Sequence, residues 1–182
     1  MPTSALISPT IPEEDKAKVT AILEGVQEHL GFVPDGLRLY SISPPLLESF
    51  VGAIGYFRGH PKLSQQLLAL IRYLVSSDAQ CSFCIDFNAG LLLNMGITQE
   101  QLAAAREDIA QAPLDENEKA LLRIALAAID NPQGVSKEDI DAALAQGFTE
   151  RDVFDVVTLA ANNRALTHVL RTFKVEHQGT FA

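Results

Sequence analysis

Apolar residues recur along most of the chain at intervals of three and four positions, which is the spacing of one face of an α-helix. The first such segment follows Pro12 and ends at Gly31, and a short helical piece is predicted after it through Tyr40. Further segments of this kind cover residues 44–59, 64–75 and 82–95. No segment shows the sustained alternation of a β-strand. The pattern therefore predicts an all-α chain.

Residues that cap helices divide the second half of the chain. Thr98 and Gln101 have the spacing of a capping box, and Asp115, Ser136 and Thr149 each precede an apolar-periodic segment. The last of these segments carries an inward stripe of Val153, Val156, Val157, Ala160, Ala161 and Leu166. We predict about eight helices in a single domain over 1–182, since no linker is long enough to separate two domains.

The segment 44–59 combines helical spacing with two internal glycines. We place Leu46, Leu47, Phe50, Ile54 and Phe57 on its inward face. Gly52 and Gly55 each cost about 1 kcal/mol relative to alanine inside a helix. Their presence predicts a close approach by another helix.

Composition narrows the classes of function. Apolar residues make up 47% of the 182 residues, and Ala and Leu dominate them, as expected of a folded helical chain. The formal net charge of −9 argues against a nucleic-acid partner, which needs clustered Lys and Arg. No apolar run reaches the roughly 20 residues that span a bilayer, and the amino terminus has no signal-peptide pattern. We therefore expect a cytoplasmic protein that binds neither nucleic acid nor membrane.

The only two cysteines, Cys81 and Cys84, form a Cys-x-x-Cys motif where a polar turn becomes a helix. A helix amino terminus favours a thiolate, and this spacing indicates redox chemistry or metal binding. Helical rotation places Asn88 on the same face. No further Cys or His pair stands at ligand spacing, so we predict no metal. No nucleotide or flavin motif is present either, so no cofactor is predicted and the cysteines themselves would carry the electrons.

The residues around this motif resemble the carboxymuconolactone decarboxylase / alkylhydroperoxidase D family, and its peroxidase-related branch in particular. The resemblance covers about 40–175 and leaves 1–39 as an amino-terminal helical extension. It implies a helical bundle that assembles into homo-oligomers. It rests on Leu63-Ser64-Gln65-Gln66-Leu67, Cys81-Ser82-Phe83-Cys84, Asn88-Ala89-Gly90-Leu91 and Met95-Gly96-Ile97-Thr98.

The resemblance also implies roles for the cysteines. Cys84 would attack a peroxide and Cys81 would resolve the product. The family's redox members carry a Glu twelve residues before the first cysteine and a His four residues after the second, and some have a His between the two cysteines. This chain has Ala69, Asn88 and Phe83 at those positions. The thiols match the family, whereas its proton relay does not.

The missing relay predicts that the attacking thiol reacts slowly as a nucleophile. An unperturbed thiol is only about 3% ionised at pH 7, and a helix amino terminus lowers its pKa by less than about one unit. We expect Asp78 and the negative net charge to oppose ionisation. Asn88 can donate a hydrogen bond but cannot accept a proton. His60, His168 or a neighbouring subunit would have to supply a base.

Three functions remain open at this point. The first is a thiol-dependent reductase of hydroperoxides or disulfides that uses Cys84, Cys81 and Asn88 and is restored by a small dithiol or a thioredoxin-like protein. The second is a non-catalytic oligomer that binds a ligand or senses oxidation. The third is decarboxylation of a small lactone acid. The dithiol argues against decarboxylation. A carboxylated substrate would also need cationic residues, and Arg72 is the only cation close to the motif in the sequence.

Overall fold

A computed structural model describes residues 5–175 of the chain. Over this range it contains nine α-helices and no β-strand, which confirms the all-α prediction. The short α2 is the helical piece that the sequence predicted to end at Tyr40. The helices are α1 (Lys16–Leu30), α2 (Asp35–Tyr40), α3 (Pro44–Arg58), α4 (Gln65–Asp78), α5 (Ser82–Asn94), α6 (Gln99–Glu107), α7 (Glu116–Asp130), α8 (Lys137–Ala145) and α9 (Glu150–Thr172). Short 3₁₀ turns cover Glu13–Asp15, Ile109–Gln111 and Pro132–Gly134.

The described residues fall into two compact units, of which the first comprises residues 5–60 and 170–175. Its core joins α1, α2 and α3 through Val19, Val33, Leu37 and Leu47, all of them buried. Gly31 ends α1 with φ 81°, a left-handed conformation that favours glycine. The predicted single domain, with its core at about 40–175, stays a prediction.

The face of α3 departs from the sequence prediction. Leu46 is 59% exposed and Ile54 is 45% exposed, so placing both on an inward face was wrong. A Cβ built on Gly52 or Gly55 would meet no atom of the described residues within 4 Å, so no helix within residues 5–175 makes the predicted close approach. Helical spacing identifies an apolar face, but it does not show whether another element of the same chain covers that face.

The second unit comprises residues 61–169, and α4 is its most buried helix. The Ser64 hydroxyl accepts a hydrogen bond from the Leu67 amide at 3.0 Å and so caps the amino terminus of α4. α4 packs against α5 and α7 through side chains that are fully buried. The predicted capping box of Thr98 and Gln101 at the start of α6 is confirmed. Among the described residues, no helix is both long and apolar enough to cross a membrane.

Candidate functional site

The turn between α4 and α5 fixes the main chain of Cys81. The Cys81 amide donates to the Ser76 carbonyl at 3.1 Å, and the Gln80 amide donates to the Ser77 carbonyl at 3.1 Å. These two bonds form a Schellman motif, with Gln80 in the left-handed conformation at φ 53°. Cys81 is also the N-cap of α5, and its carbonyl accepts a hydrogen bond from the Ile85 amide at 2.9 Å. One residue therefore ends the first helix and begins the second.

The left-handed Gln80 leads to a stability prediction. A side chain with a Cβ costs roughly 1–2 kcal/mol in this conformation, whereas glycine adopts it freely but loses more entropy on folding. Because the first effect is larger, Gln80→Gly is expected to raise the free energy of unfolding by about 0.5–1 kcal/mol. Urea denaturation measures this change. Gln80→Ala is the control and should leave the stability nearly unchanged, since alanine keeps the Cβ; equal effects of the two variants would contradict the explanation.

The two sulfurs lie together inside the second unit. Cys81 is 1% exposed, Cys84 is 3% exposed, and both are free thiols. A hydrogen bond with Cys81 and burial raise the pKa of the Cys84 thiol far above its ordinary value, and the charge of Cys81 adds to this. A hydrogen bond from Ser76 acts in the opposite direction. Cys84 therefore holds its proton at neutral pH while in contact with its partner sulfur.

Ser76 is linked to Asn163 behind the cysteines. Ser76 is fully buried, and its hydroxyl oxygen accepts a hydrogen bond from Asn163 Nδ2 at 3.0 Å. The same amide nitrogen donates to the Arg72 carbonyl at 3.1 Å. Because the hydroxyl oxygen accepts from Asn163, its hydrogen is available to donate to the sulfur of Cys84.

Asn88 forms a second polar link, between α5 and α4. Its Nδ2 donates to the Cys84 carbonyl at 2.8 Å, and its Oδ1 accepts from Arg72 Nε at 3.0 Å. The structure thus brings all three predicted site residues together. Both groups of the Asn88 amide bind partners other than the sulfurs, so the geometry makes Asn88 a positioning residue for Cys84.

The positions where the resemblance calls for a relay hold neutral side chains. Ala69 is fully buried in α4, and Phe83 is 7% exposed and stacks on Phe87 with 6.3 Å between the ring centroids. His60 packs edge-on against Tyr56, with ring centroids 5.9 Å apart. The side chains that shift the pKa of Cys84 are Cys81 and Ser76, and no carboxylate or imidazole is among them.

Two further observations concern the surroundings of the thiols. The Asp78 carboxylate, which we expected to oppose ionisation, binds Arg164 and is not among the groups that act on Cys84. Within residues 5–175, no group of three or more His, Cys, Asp and Glu side chains is placed to hold a metal ion. A cavity of about 330 Å³ in the second unit is bordered by Leu74, Ala105 and Leu126, and neither cysteine lines it.

Sequence reasoning missed Ser76 and Asn163. Asn163 lies in the polar stretch Asn162-Asn163-Arg164 of an otherwise apolar helix, and it is only 5% exposed. Ser76 lies four residues after Arg72, so the two share a face of α4. Both polar residues were therefore visible in the sequence of their helices. Only tertiary packing pairs Asn163 with Ser76, which lie 87 positions apart in the chain.

Comparisons with known proteins agree with this architecture. The chain resembles a peroxidase-related protein from Silicibacter sp. TM1040, with a TM-score of 0.85, 18% identity and coverage of 99% of this chain and 95% of the other. A peroxidase-related protein from Ralstonia eutropha JMP134, described as an alkylhydroperoxidase AhpD core, gives a TM-score of 0.84 and 19% identity over 100% and 95% of the two chains. The debrominase Bmp8 gives a TM-score of 0.75 and 20% identity, with coverage of 96% of this chain and 93% of the other. At these identities the likeness shows the fold.

A comparison with curated proteins finds no significant match. Residues 44–127 match the model of the carboxymuconolactone decarboxylase family, a range that contains both cysteines and most of their polar surroundings. Together with the shared fold, this match confirms the family resemblance of the motif. By this match residues 44–127 belong to the carboxymuconolactone decarboxylase family, and the described residues have an alkylhydroperoxidase D-like helical fold.

Proposed function

We propose that the protein is a dithiol-dependent reductase of organic hydroperoxides. The observation that carries this proposal is the contact between two free thiols at the start of α5, which suits a pair that alternates between dithiol and disulfide. The family match of residues 44–127 and the likeness to peroxidase-related folds support a peroxidase type of reaction.

The reaction balances with the two thiols and one hydroperoxide. The Cys84 thiolate attacks the terminal peroxide oxygen, the O–O bond breaks, and the leaving alkoxide takes a proton to give the alcohol. Cys84 is then a sulfenic acid. The Cys81 thiol attacks this sulfur, water leaves, and a disulfide remains. A small external dithiol or a thioredoxin-like protein reduces the disulfide and is itself oxidised.

The polar surroundings have a defined part in this scheme. Ser76, held by Asn163, donates to the Cys84 sulfur and stabilises negative charge there. Asn88 holds the Cys84 carbonyl. Among the described residues, no carboxylate or imidazole acts on Cys84. In this scheme solvent removes the thiol proton, and the step is slow at neutral pH.

The raised pKa of Cys84 predicts how the rate depends on pH. Only the thiolate attacks, and below the pKa its concentration rises about tenfold per pH unit. The rate of cumene hydroperoxide consumption by the reduced protein, with excess small dithiol present, is therefore expected to keep rising from about pH 6.5 past about pH 9. A small free thiol run in parallel should approach its plateau earlier. A plateau near neutral pH would contradict the proposed protonation state.

The raised pKa of Cys84 and the absence of a base acting on it also favour an alternative, in which the pair senses oxidation without turnover. The same hydroperoxide assay distinguishes the reductase from the oxidation sensor. Steady consumption of many equivalents of hydroperoxide supports the reductase. Consumption that stops after one equivalent, with the disulfide formed and the external dithiol unable to restore it, supports the sensor.

A homo-oligomer is part of this proposal. Several large apolar side chains of the first unit are exposed in the single chain, and burying such a surface is a common basis of self-association. Light scattering coupled to gel filtration measures the oligomeric state, and a monomer at micromolar concentration would contradict the proposed homo-oligomer. The exposed side chains are Ile42, Leu46, Ile54 and Tyr56.

A further inference from the structure

Arg72 is a cation in α4 that is linked through Asn88 to the Cys84 carbonyl and has no carboxylate partner among the described residues. Its Nε donates to Asn88 Oδ1 at 3.0 Å, and this is its one side-chain bond within residues 5–175. Burial lowers the pKa of the guanidinium to about 10, so it stays charged at neutral pH. No acid shifts this pKa. A charge of this kind is costly to bury without a counter-charge.

The neighbours of Arg72 on its own helix are neutral. Ala69 lies one turn before it and Ser76 one turn after it, and both are fully buried. The amides of Asn88 and Asn163, which bind its Nε and its carbonyl, are neutral as well. The site therefore has a fixed positive charge on the face of α4 that carries the hydroxyl directed at Cys84.

The terminal amino groups of Arg72 remain open to a ligand. Among the described residues, no side-chain nitrogen or oxygen is both fully buried and without a partner. Since these two amino groups bind no described residue, they reach solvent. The Nε bond to Asn88 fixes the plane of the guanidinium, and a planar guanidinium offers parallel N–H donors that match the two oxygens of a carboxylate.

We propose that Arg72 binds a carboxylate of the substrate and so selects anionic substrates for the cysteine pair. This inference rests on the proposed reductase function for the identity of the substrate as a carboxylate-bearing hydroperoxide. The bound carboxylate supplies the counter-charge that the described residues do not provide. Arg72 is linked through Asn88 to the Cys84 carbonyl and through Asn163 to the Ser76 hydroxyl. In this proposal, a carboxylate held by Arg72 would bring the hydroperoxide end of the same molecule to the sulfurs.

Alkylation of the thiols tests the anion site without any turnover. Iodoacetate and iodoacetamide react with thiols by the same displacement and differ in charge. The ratio of the iodoacetate rate to the iodoacetamide rate at one cysteine does not depend on the thiolate fraction, since both reagents attack the same thiolate. Dividing this ratio by the ratio for a small free thiol normalises for the reagents themselves. We expect this normalised ratio to exceed one in the wild type, to fall about tenfold in Arg72→Gln and to be largely retained in Arg72→Lys. Mass spectrometry assigns the modified cysteine.

A matched control removes a distant charge. Arg123 in α7 is half exposed, and Arg123→Gln changes the net charge by the same amount. It should leave the normalised ratio close to that of the wild type. A ratio that is unchanged in Arg72→Gln, or that falls equally in Arg123→Gln, would overturn the proposal. Circular dichroism establishes that each variant keeps its helical content, and Arg72→Lys supplies the comparison if Arg72→Gln does not fold.

A second pair of substrates separates this inference from the proposed function. Cumene hydroperoxide bearing a ring carboxylate is compared with its methyl ester, and the acid is expected to have a KM about tenfold lower, an advantage lost in Arg72→Gln. Turnover of both compounds at equal KM keeps the reductase function and overturns the anion site. A charge-dependent alkylation ratio without any turnover keeps the anion site and overturns the reductase function.

Discussion

Cys84→Ser is expected to lower steady-state hydroperoxide consumption by at least about 100-fold, because a serine hydroxyl does not replace a thiolate as the nucleophile. Cys81→Ser is expected to lose steady turnover as well, since no second thiol remains to form the disulfide. The two variants should nevertheless differ in a single turnover. Cys81→Ser keeps the attacking sulfur and should consume about one equivalent of hydroperoxide, leaving a sulfenic acid.

Trapping of this sulfenic acid assigns the attacking sulfur. Dimedone labelling followed by mass spectrometry should modify Cys84 in Cys81→Ser and should not modify Cys81 in Cys84→Ser. Labelling only in Cys84→Ser would reassign the attack to Cys81, the N-cap of α5. Turnover that survives in both variants would show that the cysteine pair does not carry the reaction.

Leu68→Ala is expected to lower the free energy of unfolding by about 2–5 kcal/mol, the range for a leucine truncated in a packed core. Leu68 is fully buried in α4, the helix that carries Arg72 and Ser76. Urea denaturation followed by circular dichroism measures the loss.

The control for this prediction is the same substitution at an exposed leucine. Leu6 is 65% exposed, so Leu6→Ala removes little buried surface and should change stability by less than about 0.5 kcal/mol. Similar losses in the two variants would show that burial in α4 does not dominate the stability of the second unit. A large loss with Leu68→Ala alone would support a rigid α4 as the platform of the site.

The sequence alone was sufficient for the local architecture of this protein. Helical spacing, caps such as Thr98 and Ser64, and the glycine at the end of α1 are local signals, because they arise from contacts within a few positions of the chain. The Cys-x-x-Cys motif and the position of Asn88 on its face depend on the same short-range geometry. Their grouping was therefore predicted correctly.

Tertiary structure decided the chemistry around that motif. Asn163 meets Ser76 across 87 positions and Asn88 meets Arg72 across 16, and neither pairing follows from helical spacing. Packing also determined that Leu46 and Ile54 stay exposed and that Asp78 binds Arg164. The pKa of Cys84 and the unpaired charge of Arg72 depend on burial and on partners from other helices, which only the folded chain brings together.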